Sequence, residues 1–307
     1  MMQRVILNPH ARGGRAQRLR APVLQWLEQR GIGDVLCVPD TVEQARDCVR
    51  QLEPGSRVVV IGGDGTLNQL LGVLLAGRHA VGLVPYGSGN DVARALGLNR
   101  KHWQQALSHA LQAQASPVDV GWARFFHAAS PVGESCDVPF LSSLTSGFDS
   151  SVGYRALHGP RWLSGLPRYL LATLRELAHL RRWEMRVVAD GQMLHGGQAL
   201  FASTLNTPTF GSGMPAVPGA RPDDGELNLL LAGAFGLWGT AAMLPRLLLG
   251  KHLSHPKVQT RGFSQLHIQS VEPLPLAADG EFLGEAKEVW IHVTPGGLPF
   301  VCAGPQN

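Results

Sequence analysis

The sequence predicts an α/β protein in two parts: an N-terminal, three-layer, parallel-sheet domain and a β-rich sandwich domain. Three observations predict it. Residues 1 to about 115 alternate strand and helix patterns, whereas short β-type runs separated by turn residues dominate beyond Asp119. In addition, two glycine-rich segments, Gly62-Gly63-Asp64-Gly65-Thr66-Leu67-Asn68 and Gly87-Ser88-Gly89-Asn90-Asp91, each follow a short apolar run. A glycine-rich loop at the carboxyl end of a buried strand lets backbone N–H groups approach a phosphate, and the next helix adds its positive end.

In chain order, a strand at Val5 to Leu7 precedes a helix near Arg15 to Gln29, and Val35 to Val38 precedes Thr41 to Gln51. Val58 to Ile61 precedes a helix from Leu67 to Leu75, and Val81 to Val84 precedes Asp91 to Ala95. Ligands are expected beyond the carboxyl ends of such strands. Further strands are expected at Val118 to Trp122, Phe140 to Thr145, Met185 to Val188, Ala199 to Thr204, Leu227 to Leu231, Leu266 to Ile268 and Val289 to Val293. Two helices interrupt them, Pro167 to Leu180 and Leu237 to Leu249. In the first, Leu170, Leu174 and Leu177 share a face opposite Arg175 and Glu176, and Arg161, Trp162, Arg168, Arg181, Arg182 and Trp183 flank it. Arg and Trp beside an apolar face suit an anionic membrane surface, but a helix packed on its own sheet with solvated ends is the plainer reading. The domains are expected at 1–118 and 119–294, with the tail of about 295–307 returning to the first.

The net charge of +4 comes from Arg, since Lys101, Lys251, Lys257 and Lys287 are the only lysines. Cys37, Cys48, Cys136 and Cys302 are widely spaced without a C-x-x-C, which indicates neither a zinc site nor a disulfide framework and suits a reducing cytoplasm. Arg4 to Pro9 reads as a strand entering a turn, not a signal peptide. The uncharged stretch Leu227 to Pro245 has the length of a membrane span, but Asn228, Gly233, Gly236 and Gly239 divide it into a strand and a helix. The histidines form no H-E-x-x-H, and Gly87-Ser88-Gly89 lacks G-x-S-x-G spacing, so zinc and serine hydrolases lack support. A Walker A motif is absent as well.

Taken together, these motifs resemble the diacylglycerol-kinase-like lipid kinases, the family of bacterial lipid kinases and of sphingosine and ceramide kinases. The likeness spans nearly the whole chain. Asn8-Pro9 with Gly13 and Gly14 matches the family's N-P turn, Gly62 to Asn68 its G-G-D-G-T-x-N, and Pro85 to Asp91 its P-x-G-[ST]-x-N-D. Asp119 matches an aspartate entering the second domain, and Ser146 to Asp149 more loosely matches a small-residue segment. Asn206, Phe210 to Gly213 and Pro218 to Leu227 resemble a glycine-rich turn followed by A-x-x-D-D-G-x-L, and Asp279-Gly280-Glu281 matches D-G-E.

The resemblance implies an ATP-dependent lipid kinase that transfers the γ-phosphoryl group to a hydroxyl of a diacylglycerol-like membrane lipid, with a nucleotide-binding α/β domain followed by the β-rich sandwich domain and the active site in the interdomain cleft. Asp279 would be the general base and Glu281 its support. On an extended segment the two would point to the same side; an Asp-Gly hairpin with a solvated Glu is the plainer reading. Nucleotide contacts fall to Asn8, Gly62, Gly63, Asp64, Gly65, Thr66, Asn68, Gly87, Ser88 and Asn90. Mg²⁺ candidates are Asp64, which could equally hold its loop, with Asp91 and Asp119; a second, structural Mg²⁺ would use Asp224 and the Leu227 carbonyl. Gln69 stands where the family often has Glu, Arg12 or Arg15 where it often has Lys, and Ser88 replaces the commoner Thr. Expected partners are ATP, Mg²⁺ and a membrane lipid, without nucleic acid; the oligomeric state is open, a dimer included. The protein is expected in the cytoplasm, transiently at the inner face of the membrane. The rival readings are an NAD kinase, which shares the G-G-D-G loop, and a non-catalytic nucleotide-binding regulator.

Overall fold

Four apolar strands dictate the first half of the computed structural model, which describes residues 2–98, 102–128, 135–160, 162, 163 and 165–303. The chain divides into two units, Met1–Val118 with Gly296–Asn307, and Asp119–Pro295. In the first, β1 (Gln3–Leu7) is followed by α1 (Arg20–Glu28), β2 (Leu36–Cys37), α2 (Val42–Arg50), β3 (Arg57–Gly62), α3 (Asp64–Ala76), β4 (Ala80–Pro85), α4 (Asp91–Ala95) and α5 (Trp103–Gln112). The strands are parallel in the order β4-β3-β1-β2. Strands buried on both faces need helices on both sides. Val5, Leu7, Val59 and Ile61 pack with Val23 and Leu27 of α1 and with Leu107, Ala110 and Leu111 of α5, while α2 and α3 pack on β1 and β3.

Local chemistry sets the helix starts. Thr41 and Gln44 form a capping box at α2: the Thr41 hydroxyl accepts from the Gln44 N–H at 3.2 Å, and the Gln44 side chain accepts from the Thr41 N–H. In α3, Leu67, Leu70, Leu71 and Leu74 bury one stripe. That helix opens at Asp64, ahead of the predicted Leu67, so Asp64, Gly65 and Thr66 make its first turn rather than a loop. The predicted helix from Arg15 is a 3₁₀ segment to Leu19 before α1 begins, and α5 had no expectation at all. Cys37 and Cys48 form a disulfide between β2 and α2. Sequence spacing gave no sign of it, because the strand–helix turn and not the spacing brings them together.

The second unit comprises β5 (Ser116–Phe126), β6 (Ser135–Phe140), β7 (Ser143–Ser146), α6 (Phe148–Leu157), α7 (Leu166–Leu177), β8 (Trp183–Ala189), β9 (Gln192–Leu205), the short β10 (Thr209–Phe210) and β11 (Met214–Pro215), β12 (Leu227–Gly233), α8 (Leu237–Leu248), β13 (Val258–Phe263), β14 (Gln265–Ala278) and β15 (Glu281–Phe300). Its pairings are antiparallel, in the order β13-β12-β9-β7-β14-β15, with β8 between β9 and β14 and β5 between β6 and β15. The long strands β9 and β14 each serve twice: β14 pairs with β8 through Leu266 to Ser270 and, past a register shift, with β7 through Leu276 to Ala278. Such shifts bend strands and let sheets fold over one another. The enclosed core includes Phe125, Phe140, Leu144, Met185, Leu229, Phe263, Ile268 and Ile291.

Several expectations for this half change. The run Phe140 to Thr145 is not one strand: β6 ends at Phe140 and β7 begins at Ser143, because the segment between them turns to serve Asp279. The helix α6 was not foreseen. In α7 the core contacts come from Ala172 and Leu177, while Leu174 is 60% exposed. Trp183 does not flank a surface; it is buried and its indole N–H donates to the Pro273 carbonyl at 3.1 Å. Arg161 lies outside the described residues. Among those described, no helix is long and apolar enough to cross a membrane.

Residues beyond Gly296 rejoin the first unit. Phe300 pairs parallel with Val81, the Val301 N–H donates to the Val81 carbonyl at 2.8 Å, and the Ala303 N–H donates to Leu96 O at 3.0 Å.

Candidate active site

In the first unit the two glycine-rich segments touch backbone to backbone. A Cβ on Gly87 would fall 2.6 Å from the Gly63 Cα, and one on Gly63 would fall 2.7 Å from the Gly87 Cα, so no larger residue fits either place. The Tyr86 N–H donates to the Gly62 carbonyl at 2.6 Å. Asn90, buried and left-handed (φ 55°), closes the second loop on itself: its Oδ1 accepts from the Gly87 N–H at 2.9 Å and its Nδ2 donates to the Gly87 carbonyl at 3.0 Å. Asp64 then joins the loops, its carboxylate accepting from the N–H groups of Asp91 (2.9 Å) and Val92 (3.2 Å) at the start of α4. Of the two roles open to Asp64, the geometry favours holding the loop. Asp91 forms an ion pair with Arg94, whose guanidinium also donates to Gly89 O.

The first turn of the chain meets the same place. Asn8 Nδ2 donates to the Thr66 hydroxyl at 2.8 Å, and Asn8 Oδ1 accepts from the His10 N–H. A groove of about 210 Å³ opens beside this pair, walled by His10, Asp40, Thr41, Ala45, Thr66 and Gln69 among others. Gln69 thus faces the groove, and its backbone carbonyl accepts from Arg46 Nε at 2.9 Å. Ser88 is exposed at the tip of the second loop, while Gly65 and Asn68 lie on α3. The Arg12 guanidinium lies 5.8 Å from the Tyr86 ring centroid, so the first-turn arginine reaches toward the second loop.

In the second unit Asp279 and Gly280 form the two-residue turn between β14 and β15, both with positive φ (48° and 89°). These angles define the tight hairpin turn that Asp-Gly favours. The two carboxylates therefore do not sit on one extended segment, as the spacing argument supposed; Asp279 lies in the turn itself and Glu281 opens β15 just after it. Nor is Asp279 simply a turn residue. Its carboxylate accepts from the N–H groups of Leu141 (2.9 Å), Ser142 (2.7 Å) and Ser143 (3.0 Å), a backbone clamp that fixes its orientation. Glu281 is half-buried rather than solvated; burial, with the Asp279 charge second, raises its carboxyl above the ordinary range.

Tyr169 of α7 lies between two of the motifs: side chains built at Gly211 and Gly280 would come within 3.5 Å of its ring and 3.9 Å of its hydroxyl, respectively. Asn206 donates to the carbonyls of Asp119 and Leu141, while its buried Oδ1 has no hydrogen-bond partner. Asp119, buried, accepts from the Gly225 N–H at 2.7 Å and anchors the turn that carries Asp224. Asp224 is exposed, its Oδ1 accepting from the Glu226 N–H at 3.1 Å, and Leu227 opens β12. No group of three or more His, Cys, Asp or Glu side chains able to hold a metal occurs among the described residues.

Sequence reading passed over two features. Tyr169 carried no motif, and only the fold brings it to Gly280. Asp149, at the start of α6, bonds the Ser203 hydroxyl and accepts from the Ser150 N–H at 2.8 Å; burial drives its carboxyl up to about 7 against those bonds. Its one sequence signal was the loose match at Ser146 to Asp149.

Comparison with known proteins follows this division. Residues 3–123 match the diacylglycerol kinase catalytic domain, and residues 142–302 match the YegS C-terminal NAD kinase beta sandwich-like domain. A diacylglycerol kinase of Mycobacterium tuberculosis (strain ATCC 25618 / H37Rv) is 28% identical over 279 residues, covering 90% of this chain and 87% of that protein. One of Bacillus subtilis (strain 168) is 26% identical over 287 residues, covering 92% and 90%. A crystal structure of a diacylglycerol kinase from Bacillus anthracis str. Sterne aligns with a TM-score of 0.68 at 18% identity, over 98% of this chain and 97% of that one. The last likeness shows the fold.

Proposed function

Because the chain belongs to the diacylglycerol kinase family, we propose that it is an ATP-dependent kinase of a diacylglycerol-like membrane lipid, with Asp279 and Glu281 serving the acceptor hydroxyl. The observation that carries this reading is the Asp279 clamp beside Glu281. A lipid hydroxyl is a weak nucleophile, and a carboxylate in hydrogen-bond reach accepts its proton as it attacks phosphorus. Asp279, fixed by three N–H donors, is oriented to receive that hydroxyl; Glu281, with its raised proton affinity, supports it.

In the first unit, the Gly62–Thr66 and Gly87–Asn90 backbones cradle the phosphates, Asn8 and Thr66 fix the first turn, and the groove along Thr41 and Gln69 receives the rest of the nucleotide. Asp64 and Asp91 are the carboxylates beside those loops that would hold Mg²⁺, which would supply charge neutralisation for phosphoryl transfer. A second Mg²⁺ at Asp224 and the Leu227 carbonyl would stiffen the turn that Asp119 anchors. A lower melting temperature in chelator, restored by Mg²⁺, is the expected result.

Labelled ATP with total extracted lipid, followed by mass identification of the product, tests the central reading. A phosphorylated glycerolipid is expected. NADP formation from NAD without any lipid product would replace this reading with the NAD kinase. Tight nucleotide binding without transfer to any lipid would replace it with a non-catalytic regulator.

A further inference from the structure

The helix α8 is apolar on both sides: Ala241 and Met243, half-buried, pack against the core, and a second apolar stripe faces outward. None of its residues is buried, and its most exposed stripe, Trp238, Ala242, Pro245 and Leu249 at spacings of four, three and four, is apolar, with Trp238 83% and Leu249 70% exposed. A helix that merely covers its own sheet turns that stripe inward. The neighbouring α7, which packs against α8, adds the exposed Leu174, and the turn before it adds Trp162, 81% exposed. Single exposed apolar residues are ordinary; a stripe continued on the next helix is a contact surface.

Charge identifies what it contacts. Between residues 227 and 271 there is no acidic residue but four basic ones, Arg246, Lys251, Lys257 and Arg261. Between 150 and 183 there are six arginines and one acid, Glu176, which is already paired with Arg155. The rest of this chain of net charge +4 is therefore net negative, and the positive charge gathers in the segments that carry the apolar stripe. Tryptophan and leucine rimmed by Arg and Lys match the interface of a bilayer that contains anionic lipids. A second copy is the poorer occupant, because a two-fold contact would set this acid-free rim against itself.

We propose that α8, rimmed by Arg246 and Lys251 and extended by the exposed side of α7, is the surface that rests on an anionic bilayer. Tyr169 lies on α7 beside Gly280, and Tyr154 of α6 packs at a tilt against Phe282 with ring centroids 4.6 Å apart, next to Glu281. The docked helices thus lead to the D-G-E turn, where the acceptor hydroxyl is required. This assignment rests on the lipid-kinase reading for its purpose, though not for its test.

The test is sedimentation of the full chain with vesicles of phosphatidylcholine alone or with 30 mol% phosphatidylglycerol, in about 0.1 M and about 0.5 M salt, a range over which screening shortens sharply. The wild type is expected to bind the anionic vesicles at least about tenfold more tightly, and less so in high salt. Trp238→Glu and the double variant Arg246→Glu/Lys251→Glu are each expected to lose at least about tenfold of that binding while melting as the wild type does, since these side chains are exposed. Turnover of a short-chain diacylglycerol dispersed in detergent should stay within about twofold. Unchanged vesicle binding in both variants overturns the proposal, as does a wild-type dimer that Trp238→Glu splits while no vesicle binding is seen. Vesicle binding through Trp238 without lipid phosphorylation refutes the kinase reading alone; phosphorylation of dispersed lipid without vesicle binding refutes the docking surface alone.

Discussion

Asp64 and Asp279 are held alike in two unlike folds: each carboxylate accepts from backbone N–H groups of a neighbouring segment. Their surroundings separate them. Beside Asp64 the second carboxylate, Asp91, is neutralised by Arg94 in a loop whose glycines touch backbone to backbone. Beside Asp279 the second carboxylate is Glu281, raised by burial and by Asp279 itself. On the proposed function, one clamp would shape a cradle for an anion, whereas the other would present charge to a proton donor.

Substitutions should break this contrast in a definite order. The largest effect is expected from Asp279→Asn, a loss of about 10²–10⁴ in kcat as befits a general base, with nucleotide affinity intact by fluorescent-analogue titration. An equal loss in both readouts would make Asp279 merely structural. Gly87→Ala should do the reverse, weakening nucleotide binding by at least about tenfold and costing about 1–3 kcal/mol in denaturant titration, since the new Cβ meets backbone that cannot yield.

A third measurement is the pH profile of kcat. The raised Glu281 carboxyl must lose its proton before it can assist, so the acid limb should lie above the ordinary glutamate range. Asp279→Asn removes one of the two causes of the rise and should move that limb to lower pH. An unmoved limb would mean that Glu281 does not govern it.

Asp149 offers a control for buried acids outside both clamps. Its folded value of about 7 lies well above the ordinary aspartate range, so the folded state holds the proton more tightly. Stability should therefore fall as pH rises between about 4 and about 7 and stay lower beyond, by up to about 4 kcal/mol. Asp149→Asn should flatten that dependence in thermal melts; an unchanged slope would assign it to another group. The smallest effect is expected from Asn8→Ala, about 1 kcal/mol of lost hydrogen bonding to Thr66, seen as a modest rise in KM for ATP.

The parts of this molecule that were legible in its sequence are those whose chemistry is local. Alternating buried runs announced β1, β3 and β4, and the glycines marked where two backbones meet, though not that they meet each other. Nonlocal facts were hidden: Leu141 to Ser143 gripping Asp279 from about 137 residues away, Tyr169 beside Gly280, Asp149 against Ser203. The α7 leucines misled because periodicity names a face without saying which side is wet. Leu174 is exposed beside an α8 whose apolar stripe points outward as well.

The returning strand has a consequence for biosynthesis. Phe300 and Val301 lie along β4, and Ala303 ties to Leu96, so the first unit is interrupted in sequence by the whole of the other unit. On the ribosome its β4 edge must wait, unpaired on that side, until about 220 further residues have emerged. The second unit, continuous from Asp119 to Pro295, can close first, before residues 296–303 seal that edge.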